Sequence, residues 1–142
     1  MTASEYLRQI GLMDNRLKQK MALVVEMKST ANGLKGVAYD ADRVQTSPDD
    51  RMANTMAKII DLEYEIMDDV YALTALKTEV VKNILRLNNE KYESVLFYRY
   101  VNRLTFQNIA IEMDCDIRHV FRLHGKALRI FDQKILKNPK KT

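Results

Sequence analysis

The chain has 142 residues, 30% of them charged, and a formal net charge of +4. It contains four glycines, two prolines and one cysteine. This length fits one domain, or one small domain with an appendage, and the scarcity of glycine and proline favours helices over strands. The lone Cys115 excludes an internal disulfide. Because the sequence shows neither a secretory signal nor an apolar run near the ~20 residues of a bilayer span, we expect a cytoplasmic protein that contacts no membrane.

The first predicted helix begins at Thr2 and ends near Thr30. Thr2 and Glu5 have the spacing of a capping box, in which each side chain accepts a hydrogen bond from the other residue's backbone N–H. Apolar residues then recur at intervals of three and four, the pattern of an amphipathic helix: Tyr6, Ile10, Met13, Leu17, Met21 and Val24. Residues 31–47 contain Gly33 and Gly36 and no such stripe, so we expect a loop there.

The second predicted helix starts after Ser47, which suits an N-cap, with Pro48 in the first turn. An apolar residue then recurs every seven positions, at Met52, Ile59, Ile66, Leu73, Val80 and Leu87. A stripe this long needs a partner helix. The first helix could fold back on it as a coiled-coil-like hairpin, and a second copy of the chain could complete a bundle. The expected oligomerisation residues are Ile59, Ile66, Leu73 and Val80; whether the partner helix lies within the chain or in another copy stays open.

Three shorter helices are predicted beyond residue 88. The first runs from about Asn89 to Val101, the second covers 106–113 after a Thr105 cap, and the last runs from Ile117, capped by Asp116, to about Phe131. Between the last two, Asp114-Cys115-Asp116 forms a tight turn, and the small Ala110 allows the helices to cross closely. This spacing is typical of a helix-turn-helix, which usually places its second helix in the major groove of DNA.

These elements divide the chain into three predicted regions. Residues 1–87 form a helical oligomerisation region, 88–131 form the helix-turn-helix, and 132–142 form a basic tail that we expect to fray. The charge is uneven, since residues 1–87 hold 12 basic and 13 acidic side chains whereas residues 88–142 hold 11 basic and 6 acidic ones. A positive end on a nearly neutral body suits a polyanionic partner.

The last helix carries the predicted DNA contacts. At about 100° per residue, Val120, Leu123, Ala127 and Phe131 share one face, and basic residues occupy the opposite one. Arginine can donate two hydrogen bonds to guanine in the major groove. The predicted base-contacting residues, nearest the start of this helix, are Arg118, His119 and Arg122; the predicted phosphate-contacting residues are Thr105, Gln107, Lys126 and Arg129.

The sequence offers no convincing catalytic, cofactor or metal site. Cys115 and His119 are four residues apart, but no further ligand completes a metal set, so we interpret Cys115 as an apolar residue. No Gly-rich phosphate loop and no nucleophile–base–acid set is present. We therefore expect a protein that is not an enzyme and binds no cofactor.

The segment YRYVNRLTFQNIAIEMDCDIRHVFRLHGKALRIF (98–131) resembles the region-4 helix-turn-helix of sigma-70-type factors, through Leu104-Thr105, Ile109-Ala110, Val120 and Lys126-Ala127-Leu128-Arg129. The whole chain also resembles small proteins encoded by phages and prophages of Gram-positive bacteria, of the ArpU and RinA kind. That resemblance implies a regulator of late transcription. It places the base-contacting positions near Ile117, Arg118, Phe121 and Arg122, of which only the two arginines are polar readers.

The sequence as a whole predicts an all-α protein, with an N-terminal helical hairpin followed by a sigma region-4-like helix-turn-helix. We expect a phage-type transcriptional regulator in the bacterial cytoplasm, a homodimer that binds double-stranded DNA and could contact RNA polymerase. Two alternatives remain open. One is a small terminase-like packaging protein, and the other is a sigma-like module that binds RNA polymerase without reading DNA.

Overall fold

The computed structural model describes residues 1–36 and 48–137, which form helices joined by short turns and contain no strand. This confirms the all-α prediction for the described residues. The five α-helices are α1 (Ala3–Gly36), α2 (Pro48–Leu85), α3 (Glu90–Leu96), α4 (Phe106–Glu112) and α5 (Ile117–Phe131); π-helical turns extend α3 over Phe97–Val101 and α5 over Asp132–Leu136. None of the described helices combines the length and the apolar character that a bilayer crossing requires.

Helix α1 begins as its sequence predicts. The backbone N–H of Glu5 donates to Thr2 Oγ1 at 3.2 Å, and the backbone N–H of Thr2 donates to Glu5 Oε2 at 3.4 Å. These two bonds form the capping box and satisfy N–H groups that have no partner within the helix.

The predicted end of α1 is wrong. The helix does not stop near Thr30 but continues to Gly36, so a loop over 31–47 is excluded for its first six residues. Ala31 is buried in a cluster with Val24 and Ile59, and this packing outweighs the poor helix propensity of Gly33. The rest of the predicted loop and the Ser47 cap lie outside the described residues.

The chain divides into two compact units, which we call the middle unit (Asp14–Ala72) and the terminal unit (Met1–Met13 with Leu73–Thr142). The terminal unit therefore contains more than residues 88–131, because the first turns of α1 and the last turns of α2 belong to it. The assignment of functions to the three predicted regions stays a prediction.

In the middle unit, α1 and α2 pack along each other. Partly buried apolar residues surround the cluster of Val24, Ala31 and Ile59: Met27, Leu62 and Ile66. Lys20 Nζ lies 2.7 Å from Asp69 Oδ2, and Lys28 Nζ lies 3.5 Å from Glu63 Oε2. Residue numbers rise along α1 as they fall along α2, so the two helices run antiparallel at these contacts.

The side chains predicted for oligomerisation lie in the interior of the single chain. Ile59, Leu73 and Val80 are buried, and Ile66 is partly buried. Side chains already covered by their own chain offer little surface to a second copy. Their burial is typical of intrachain packing, and a role for these four residues in oligomerisation stays a prediction. The heptad stripe contains the right residue types for either arrangement, and only the position of α1 decides between them.

In the terminal unit, the start of α1 holds the end of α5. The rings of Tyr6 and Phe131 stack with centroids 5.8 Å apart, and Phe131 is fully buried. The Tyr6 hydroxyl donates to Glu79 Oε2 at 2.7 Å and accepts from Asn83 Nδ2 at 2.9 Å. Burial, together with the bond to Glu79, raises the pKa of Tyr6 to about 12. The position of α5 thus depends on Tyr6, which lies more than 100 residues before Phe131 in the sequence.

The segment after Phe131 also differs from its prediction. Residues Asp132–Leu136 continue α5 as a π-helical turn rather than forming a frayed tail. Ile135 is buried, and Lys134 Nζ donates to the carbonyl oxygen of Leu87 at 3.3 Å, close to the end of α2. An apolar anchor and a charge-assisted hydrogen bond therefore hold this segment.

Candidate nucleic-acid interface

A tight turn joins α4 to α5. Asp114 has a φ of 51°, and the backbone N–H of Cys115 donates to the carbonyl oxygen of Ala110 at 3.0 Å. A left-handed residue just after a helix is a common helix terminator. Ala110 and Ile109 are both buried in the part of α4 that precedes the turn.

The two predicted helix caps in this region behave differently. Thr105 Oγ1 accepts a hydrogen bond from the backbone N–H of Asn108 at 3.2 Å, as predicted for the start of α4. Asp116 occupies the N-cap position of α5, but its side chain makes no capping bond, so that part of the prediction is wrong. The carbonyl oxygen of Asp116 instead accepts from the N–H groups of His119 and Val120, at 3.0 and 3.2 Å.

Helix α5 has one apolar and one cationic face. Its buried residues are Val120, Leu123, Ala127 and Phe131. The cations of α5 are all exposed: Arg118, Arg122, Lys126 and Arg129. We call these four side chains the α5 cationic face. Because α5 contains no aspartate or glutamate, nothing on the helix itself neutralises this face.

The other predicted contact residues lie beside this helix or at the start of α4. His119 is partly buried, so its ring is less accessible than the arginines on either side of it in the sequence. Thr105 and Gln107 are exposed at the start of α4. The Thr105 hydroxyl already caps α4, which leaves its hydrogen free to donate. The proposed roles of all these residues stay predictions.

An aromatic cluster packs α5 against α4 and the π-helical turn that precedes α4. The ring of Phe106 lies 4.9 Å from that of Phe121 and 5.1 Å from that of His124, measured between centroids. The guanidinium of Arg99 lies 4.1 Å from the centroid of Phe106 and donates to the carbonyl oxygen of Leu104 at 3.0 Å. These contacts join the π-helical turn, α4 and α5, and so fix how α5 presents its exposed side.

His124 is the titratable member of this cluster. Its Nε2 lies 2.8 Å from the Tyr100 hydroxyl, within hydrogen-bond distance, and its ring stacks on that of Tyr100. Burial lowers the pKa of His124, and the positive charges of Arg99 and Arg8 lower it further. The neutral imidazole is therefore the favoured form in the folded protein.

The resemblance to sigma region 4 places a base-contacting position near Phe121, although the predicted base-contacting residues are Arg118, His119 and Arg122. The side chain of Phe121 is 49% exposed although it packs on Phe106. At about 100° per residue it lies 60° around α5 from Arg118, on the cationic side of the helix. The helical period therefore gives the position of Phe121 from the sequence, whereas its packing on Phe106 follows only from the structure.

The described residues contain no group of three or more His, Cys, Asp or Glu side chains arranged to hold a metal ion. Cys115, at the α4–α5 turn, is partly buried. Comparisons of the chain with protein-family models, with curated proteins and with solved structures found no match.

Proposed function

We propose that this protein is a phage-type DNA-binding transcriptional regulator, in which α4, the turn and α5 act as a helix-turn-helix. The observation that carries the proposal is the α5 cationic face: four exposed cations lie opposite a fully packed apolar face on a helix with no acidic residue. A helix with these two faces can stay attached to its domain while its other side enters the major groove.

In this proposal the side chains of α5 have two kinds of role. Arg118 and Arg122 lie nearest the start of α5 and read base edges, each suited to a bidentate contact with guanine. Partly buried His119 is a secondary base contact. Lys126 and Arg129 lie farther along α5 and bind phosphates, with Thr105 and Gln107 donating to phosphates from the start of α4.

The antiparallel α1–α2 contacts of the middle unit support the proposed helical hairpin. We propose that this hairpin serves association with other proteins, RNA polymerase among them, in the cytoplasm of a bacterial host. A homodimer remains part of the proposal, but it has to use a surface other than the buried heptad stripe.

The test is selection of bound sequences from a random duplex library by the purified protein. We expect an enriched motif, and we expect Arg118→Ala to lose preference at one position of it. Lys58→Ala is the matched control, because it removes one exposed positive charge from α2 of the middle unit. Absence of duplex binding even at low salt would contradict the proposal, whereas salt-sensitive binding without any enriched motif would favour the packaging alternative.

A further inference from the structure

A second apolar stripe on α2 faces solvent. Five large apolar side chains of α2 in the middle unit, all between 43% and 71% exposed, follow one another at intervals of four, four, three and four residues: Met56, Ile60, Tyr64, Met67 and Tyr71. This spacing places them on one side of the helix, about 130° around from the face that contains Ile59, Leu62 and Ile66. Contiguous apolar surface of this kind is uncommon unless another molecule covers it.

The stripe has the geometry of a helix-packing seam. Ala57, Tyr64 and Tyr71 repeat every seven residues, and so do Ala53, Ile60 and Met67, with the two rows three or four residues apart. Two interleaved rows of this kind are the a and d positions of a coiled coil. The seam from Ala53 to Tyr71 is about 27 Å long, which is enough for a partner helix of about five turns.

Three of the six e and g positions beside this seam are acidic, and the other three are Asn54, Met56 and Val70. Asp61 follows Ile60, Asp68 follows Met67, and Glu63 precedes Tyr64, which are the e and g positions of the same heptads. Lys28 pairs with Glu63, but within the described part of the chain Asp61 and Asp68 make no ion pair. Residues 49–72 hold seven acidic and two basic side chains.

This charge pattern disfavours a second copy as the occupant. In a parallel pair of α2 helices, Glu63 of one copy would face Asp68 of the other. In an antiparallel pair, Asp61 would face Asp61 or Asp68 of the other copy. Either arrangement places like charges beside the seam, whereas a helix with lysine or arginine at its flanking positions would pair with them.

We propose that this face of α2 binds a basic amphipathic helix of another protein, with which it forms an intermolecular coiled coil. The apolar seam provides the contact area, and Asp61 and Asp68 select positively charged flanks. Tyrosine and methionine suit such a surface, because tyrosine covers a large area and methionine adapts its shape to the partner. The inference is independent of DNA binding, since it rests on side chains of the middle unit alone.

The test uses the full chain and a synthetic helical peptide of about three heptads, with leucine at a and d and lysine at e and g. A second peptide, with glutamate in place of lysine, is the charge control. We expect the lysine peptide to bind and the glutamate peptide not to bind, as measured by calorimetry at low salt. The double variant Ile60→Ala, Tyr64→Ala should weaken binding by roughly tenfold or more, because it removes two large side chains from the centre of the seam. Both side chains are about half or more exposed, so the fold should persist, and circular dichroism checks this.

A charge variant tests the selectivity for positive flanks. Asp61→Asn with Asp68→Asn should weaken binding several-fold at low salt and little at high salt, since screening removes what the carboxylates contribute. Glu65→Gln is the matched control, because Glu65 is exposed on another side of α2 and should leave the affinity unchanged.

Three results would overturn the proposal. One is failure of the lysine peptide to bind, and another is an equal loss in the Glu65→Gln control, which would mean unspecific attraction. The third is self-association in sedimentation that strengthens with salt and disappears in the Ile60→Ala, Tyr64→Ala variant. That last result would make a second copy the occupant.

Discussion

Asp114 holds the turn between α4 and α5 in a left-handed conformation, with a φ of 51°. A residue with a Cβ atom pays about 1–2 kcal/mol for this conformation, although aspartate tolerates it better than most. We expect Asp114→Gly to raise the free energy of unfolding by about 1 kcal/mol, as measured by urea denaturation. Asp114→Ala keeps the Cβ atom and should lower it. Destabilisation by the glycine variant would show that the Asp114 side chain contributes more than its conformation costs.

The Tyr100–His124 pair makes stability depend on pH. The pKa of His124 is lowered from 6.5 in the folded chain, mainly by burial. As the pH falls, the unfolded chain therefore protonates at His124 before the folded chain does. The stability that neutral His124 contributes is complete above pH 6.5 and is lost as the pH falls through the pKa of His124 in the folded chain. Urea denaturation at a series of pH values should show the decline. His124→Phe retains an aromatic ring but cannot be protonated, so it should remove the part of the decline that is due to His124. An unchanged pH profile in that variant would assign the decline to other groups.

Phe121 adds an apolar contact beside Arg118 and Arg122 if α5 enters the major groove. Its half-exposed ring suits the C5-methyl group of thymine, which deoxyuridine lacks. Within a selected site, replacing the contacted thymine by deoxyuridine should weaken binding several-fold for the unaltered protein and not for Phe121→Ala. A measurable duplex affinity that responds to no such replacement would leave Phe121 as a packing residue of the Phe106 cluster.

At the scale of elements, two neighbouring isoleucines on α2 distinguish its buried face from its exposed face. Ile59 is 1% exposed in the cluster with Val24 and Ala31, whereas Ile60 is 49% exposed. We expect Ile59→Ala to cost about 2–5 kcal/mol through lost burial and the cavity that remains, and Ile60→Ala to change stability by less than about 0.5 kcal/mol. Thermal and urea unfolding of the two variants compare them directly. Equal costs would contradict the burial that distinguishes the two faces of α2.

The elements differ in how far the sequence determines them. The start of α1 and the end of α4 are predictable, because a capping box and a left-handed turn are local chemistry of a few residues. The end of α1 is not, because Ala31 is helical through its contact with Ile59, which lies on another helix. The role of the two α2 stripes is not predictable either. Both repeat every seven residues, and only the position of α1 determines which one is buried.

The candidate site shows the same division. The two faces of α5 follow from the helical period, so the exposed cations were found from the sequence. The aromatic cluster that supports α5 is not predictable from the sequence. Arg99 and Phe106 meet across a turn, and Tyr100 and His124 are 24 residues apart. Contacts between elements depend on packing, which leaves no periodic signal in the chain.

At the scale of the whole molecule, charge distribution predicts how DNA binding responds to salt. The surplus of basic residues lies in 88–142, and the α5 cationic face is part of it. Because bound cations displace counterions from DNA, the logarithm of affinity should fall linearly with the logarithm of salt concentration. Lys126→Ala should weaken all sequences alike and reduce the slope by about one, whereas Lys58→Ala should leave it unchanged. Fluorescence anisotropy over a salt series measures both, and a slope unaffected by Lys126→Ala would remove that residue from the interface.

The contact between α1 and α5 in the terminal unit has a consequence for the order in which the protein folds during synthesis. Tyr6 is synthesised more than 100 residues before Phe131, whose ring stacks on it. Until Phe131 has left the ribosome, Tyr6 can make its hydrogen bonds to α2 but lacks this stacking contact. The terminal unit can therefore complete its fold only after Phe131 has left the ribosome, so the contact between α1 and α5 is a late step in its assembly.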